Sequence, residues 1–103
     1  MKTRRIITFL PADQVDNFAK AFGEHIPHIC GDYDSVCWWS EAKTEYGTEQ
    51  HRPLDGDIQQ IPSVRMEFSI PDDDNVSTAF IEKLKHHHPW EQPVVLSVCM
   101  DMK

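Results

Sequence analysis

The spacing of apolar residues changes along this chain, and each change marks an element. "RRIITFLP" is β-branched and apolar, which predicts a strand from Arg4 to Leu10. In "PADQVDNFAKAFGEH", Val15, Phe18, Ala19 and Phe22 recur at helical spacing, and Gly23 stands where a helix would stop. "DYDSVCWWSEAKTEYG" reads as a second, long strand running towards Gly47, and "EQHRPLDGD" as a loop or short strand. "SVRMEFSI" alternates, with Val64, Met66, Phe68 and Ile70 on one face and Arg65, Glu67 and Ser69 on the other. "PDDDNVSTAFIEKLKHH" opens with acids suited to a helix start, and Val76, Ala79, Phe80 and Leu84 give it an apolar face. "PVVLSVCM" is the last strand. The order β-α-β-β-α-β predicts an α+β, ferredoxin-like sandwich. It has a four-stranded antiparallel sheet, first and third strands central, with two helices on one face.

That plan leaves one sheet face bare. Neighbouring strand residues point to opposite faces, so one of Trp38 and Trp39 projects away from the helices. In the last strand Val94, Leu96, Val98 and Met100 share one face, and Val95, Ser97, Cys99 and Asp101 the other. The second set is mixed rather than polar. An open face bearing Trp, Cys and Val is expected to meet another surface, most simply a second copy of the chain.

Composition narrows the partners. The 103 residues fit a single domain, 1–103, and the 40% apolar and 26% charged content is that of a soluble globular protein. A net charge of −7 excludes nucleic acid as the main partner, and Lys2, Arg4 and Arg5 are too few to reverse this. "IITFL" is too short for a signal peptide, and no stretch approaches a membrane span. Cys30, Cys37 and Cys99 are odd in number without a CxxC pair, which points to a reduced, cytoplasmic protein.

The densest candidate chemistry is "KHHHPWEQPVV", Lys85 to Val95. A structural reading covers most of it. Lys85 to His87 end a helix where positive charge is favoured, His88 precedes a helix-breaking proline, Trp90 plugs a corner, and Pro93 opens an edge strand. A functional reading uses His86, His88 and Glu91 as imidazole and carboxylate ligands for a divalent transition metal. Consecutive histidines on a helix point about 100° apart, so that set needs a further ligand such as His51, His28 or Cys37. Arg52 in "HRPLDGD" is either an anion-binding cation or the partner of Asp55 or Asp57 in a turn. Cys37 reads as a packing residue, and Asp72 to Asp74 as a helix start.

Three blocks, "GDYDSVCWWS", "YGTEQHRPLDG" and "HPWEQPVV", resemble in order the small domain of the YqfO proteins, the Nif-three-like family also described as GTP cyclohydrolase type-two homologues. The matching residues are Gly31, Tyr33 and Cys37, then Gly47, Thr48, Arg52, Pro53, Leu54 and Gly56, then His88, Pro89, Glu91 and Pro93. Glu49, His51 and Trp90 depart from the pattern, and the larger domains that carry the family's dinuclear metal site have no counterpart here. The small domain is similar in fold to CutA, a trimeric protein associated with divalent-metal tolerance. The resemblance implies a CutA-like homo-oligomer, expected to be a trimer. In it the long second strand near Tyr46 to Arg52 reaches the "HPWEQP" corner and forms an intersubunit cleft. Tyr33, His51, Arg52, His88 and Glu91 are the candidate ligand-binding set, for a small ligand or divalent metal ion, with no required cofactor. Two other readings stay open: a small hydrolase using His88 and Glu91 as acid and base, and an interaction domain docking through its open sheet face.

Overall fold

The structure is a computed structural model describing residues 1–29, 31–40 and 47–103. Its elements are β1 (Lys2–Pro11), α1 (Val15–Phe22), β2 (Trp38–Trp39), β3 (Gly47–His51), β4 (Gln59–Pro71), α2 (Asp74–His87) and β5 (Val95–Asp101), with single 3-10 turns on either side of α1. The sheet is antiparallel throughout, ordered β2-β4-β1-β5, with β3 also on β4. β1 and β4 are therefore central, as the ferredoxin-like plan requires.

Of the expected second strand before Gly47, only Trp38–Trp39 is paired among the described residues, residues 32–37 being turn, bend or irregular. β3 starts at Gly47 and runs into the stretch read as a loop or short strand, and both segments lie on one edge of β4. Trp39 pairs with Met66 and Gly47 with Ser63, so the two pairings are separated by seven positions on this edge and by two in β4. The expected continuation through residues 41–46, the place of Tyr46 at a subunit junction, and the thiol of Cys30 lie outside the described residues. Before Ser63 the first residues of β4, Gln59 to Pro62, pair with β3 and not with β1, so among the described residues β3 and the start of β4 form a two-stranded arm projecting past the sheet. The long axis of 44 Å and the radius of gyration of 14.5 Å, against about 13 Å for a compact chain of this length, reflect it.

The core lies between the helices and one sheet face. Ile6, Leu10, Val64, Met66, Phe68 and Ile70 meet Val15, Phe18, Phe22, Phe80 and Leu84. Phe22, Phe68 and Phe80 form a triangle with ring centroids 5.3–5.8 Å apart, each pair edge-on, a geometry worth about 1 kcal/mol per pair beyond burial. The buried stripe of α2 is Ser77, Phe80, Ile81 and Leu84, whereas Ala79 is exposed. The helix is rotated from the expected face because Phe80 and Leu84 seat on the sheet and carry Ser77 in with them. Asp73 caps α2, accepting from the Val76 amide at 2.9 Å. Gly23 does follow the last residue of α1, but at φ −51° it is right-handed. Its lack of a side chain serves a close approach instead, since a Cβ there would sit 3.3 Å from Ser35.

The face of each edge residue follows from register. Trp38 pairs with Glu67 and projects on the open face, while Trp39 pairs with Met66 and packs on the core. In β5, Val95 and Ser97 align with Thr8 and Ile6 on the helix side. The open face therefore carries Leu96, Val98 and Met100, each nearly half exposed, beside Ile7 and Phe9. This reverses the expectation that the mixed Val95, Ser97 and Cys99 set lies on the bare side: Val95 is drawn under the helices, so its neighbours turn outward. Among the described residues no helix is long and apolar enough to cross a membrane.

Candidate functional site

The corner between α2 and β5 is built around His88. Pro89 disfavours helical geometry in the residue before it, and His88 accordingly ends α2 with φ −65° and ψ 140°. Its imidazole turns inward and is 7% exposed. Nε2–H donates to the Phe9 carbonyl at 2.8 Å, and Nδ1 accepts from the Trp90 amide at 3.0 Å. These bonds fix a neutral ring with the proton on Nε2. Burial lowers its pKa, opposed by the Phe9 carbonyl and the Glu49 carboxylate. A neutral imidazole with both nitrogens engaged offers no lone pair to a metal or to a substrate proton.

His88 is therefore a clasp holding the corner to β1 rather than a member of a ligand set at the rim. His86 is exposed, with its ring 5.3 Å from that of His87, and Glu91 is exposed beyond the corner. Among the described residues no three His, Cys, Asp or Glu side chains are placed to hold a metal ion, so His86, His88 and Glu91 do not assemble into one. The sequence could not reveal this, because the partners of His88 are backbone groups of Phe9 and Trp90.

The fold does bring the arm and the corner together. Glu49, Gln50, His51, Arg52 and Pro53 face Trp90, Glu91, Gln92 and Val94 across a cleft of about 670 Å³. Glu49 and His51 share one face of β3, with carboxylate and Nδ1 3.2 Å apart. Arg52 begins the loop that closes the arm. That loop is held by a turn in which the Gly56 amide donates to the Pro53 carbonyl at 3.0 Å, glycine taking the position such turns favour. The expected pairing of Arg52 with Asp55 or Asp57 does not form, and among the described residues neither Arg52 nor Glu91 has an ion-pair partner. Trp90 rests on the His88 ring, with centroids 5.3 Å apart, and also lines the cleft. An adjoining cleft of about 540 Å³ shares Glu49, Gln50 and Val94 and continues over the open face to Phe9 and Arg65.

Of the expected ligand-binding set, His51, Arg52 and Glu91 line one cleft. Tyr33 lies apart, 79% exposed, in a crevice of about 190 Å³ with Cys37 and Trp38. Burial pushes the Cys37 thiol up, away from nucleophilic activation. Glu49, Gln50 and the second role of Trp90 were the missed contributors. The alternation of "TEQH" held a signal, since it sets Glu49 beside His51.

No protein-family model matches the sequence, and no curated protein matches it. Solved structures do match the fold. A Bacillus cereus protein related to NIF3 superimposes with a TM-score of 0.77 at 22% identity, covering 98% of this chain and 26% of that one. CutA1 from Oryza sativa gives 0.68 at 11% identity, covering 100% and 84%. The divalent cation tolerance protein of Thermus thermophilus gives 0.64 at 15%, covering 93% and 82%. The chain thus spans about a quarter of the NIF3-related protein and has the ferredoxin-like fold of the CutA proteins.

Proposed function

We propose that this chain is a non-catalytic, self-associating module of the cytoplasm that binds a small polar ligand in the cleft between arm and corner. The observation that carries the reading is the convergence of His51, Arg52, Trp90 and Glu91 from segments some forty positions apart in sequence onto one open cleft. Arg52 supplies an unpaired cation for an anionic group, Trp90 a flat apolar wall, and Glu49 and Glu91 acceptors. A divalent cation is the second class of ligand to test, since one protein of this fold is described as a divalent cation tolerance protein.

Self-association is supported by the open face. Trp38, Leu96, Val98 and Met100 are half exposed there, and among the described residues β5 is an edge strand with β1 as its sheet neighbour. Covering one large side chain contributes roughly 2 kcal/mol, and a symmetric contact repeats the gain in every copy. A two-stranded arm is marginal in isolation, which favours a neighbour that braces it and walls the cleft. The resemblance to the CutA family supports three-fold closure. Light scattering combined with a thermal-shift screen of small anions and divalent ions tests the whole reading. A trimer stabilised by at least one such ligand supports it. A monomer at micromolar concentration removes the bracing neighbour and leaves the open face to a different protein.

A further inference from the structure

Outside the cleft, the helix side of the molecule carries a second grouping of donors. His87 ends α2, and His25 ends the 3-10 turn after α1. They are 62 positions apart in sequence, yet their ring centroids lie 4.8 Å apart. The Nδ1–H of His87 donates to the Lys83 carbonyl at 2.8 Å, which fixes the tautomer and leaves the lone pair on Nε2. A backbone carbonyl on the second nitrogen is the arrangement that orients metal-bound imidazoles. His25 Nε2 lies 3.4 Å from the carboxylate of Glu24, which is largely exposed. Phe22 floors both rings, at 5.6 Å from His25 and 5.8 Å from His87. The partial negative charge at the end of α2 favours a cation there.

We propose that His25 and His87 form a two-imidazole chelate for a borderline divalent transition ion, with water filling the remaining positions. Imidazole suits nickel, copper and zinc and discriminates against magnesium and calcium. The site joins the turn after α1 to the end of α2, so an occupied site braces the two helices against each other. It differs from chelation by the run His86–His88 as a flexible tract, because His88 is committed to Phe9 and Trp90 and the second ligand comes from another element. It shares no residue with the cleft, so the two stand or fall separately.

Calorimetric titration with Ni²⁺ alone, paired with thermal unfolding with and without Ni²⁺, tests it. The expected result is a rise in melting temperature reversed by EDTA and not produced by Mg²⁺. His25→Gln and His87→Gln should each weaken binding at least about tenfold by leaving a single imidazole, with unchanged far-UV dichroism in the absence of metal. Arg52→Ala, in the cleft, should leave Ni²⁺ affinity unchanged. Nickel affinity that survives His25→Gln, or binding that does not stabilise the fold, would place the ion in the histidine tract or the cleft and overturn the chelate.

Discussion

The Nε2–H of His88 donates to the carbonyl of Phe9 at 2.8 Å, tying the end of α2 to a strand 79 positions earlier. The bond requires a neutral ring whose other nitrogen accepts from Trp90. Its folded pKa lies below the ordinary 6.5 because the ring is buried. The unfolded chain therefore takes up the proton first as pH falls. The clasp's contribution is fully present above about pH 7, declines through the ordinary value, and is lost once the lowered folded value is passed. Melting temperature should drop between pH 7 and pH 5, and the drop should shrink in His88→Gln. A wild-type profile parallel to that of the variant would refute the assignment. His88→Ala should cost about 2 kcal/mol at pH 7.5, combining a cavity with orphaned backbone groups, as read by urea unfolding.

Asp73 accepts from the Val76 amide at the start of α2. Asp73→Ala should lower stability by about 1 kcal/mol, and Asp73→Asn should restore most of it. Equal loss in both variants would point to charge rather than capping.

Leu96 and Val98 stand two residues apart on the open face of the edge strand. Leu96→Glu with Val98→Glu should convert the assembly to single chains by light scattering, while the helix content of each chain persists. An assembly of unchanged mass would place the contact elsewhere.

Arg52 is exposed at the cleft. Arg52→Ala should shift the unfolding midpoint by less than about 0.5 kcal/mol. The same change should weaken binding of any anionic ligand found by screening at least about tenfold, the usual scale for losing a charge-assisted hydrogen bond. Unaltered affinity would remove Arg52 from the site.

The fold was largely legible because its signals are local. The alternation of Val64 to Ile70 and the helical spacing of Val15, Phe18 and Phe22 each follow from neighbours in sequence. Pro89 likewise announces the end of α2. The site was half legible. His51, Arg52 and Glu91 were identifiable as polar residues at element ends, and the fold joins them. The role of His88 was hidden because a histidine's partners can be main-chain atoms that no residue type reveals. The approach of His25 to His87 was equally hidden, since it depends on how far the turn after α1 carries the chain along α2. The bare face was expected, but which side of β5 it takes depends on pairing with β1, and the strand's own sequence is apolar on both sides.

Among the described residues the arm is joined to the sheet through β4. Its outer strands, from Thr48 to His51 and Gln59 to Ile61, are paired to each other among the described residues, whereas β1 belongs to the shared ladder. This pairing predicts two cooperative units, an arm that opens locally and a sheet–helix body that opens only globally. Amide hydrogen exchange resolves them as fast and slow classes. A ligand seated against His51 and Arg52, or a neighbouring copy bracing the arm, then acts as a splint. Exchange slows in the arm and is little altered in the body, so the outer amides of the hairpin report occupancy even before the ligand has been identified.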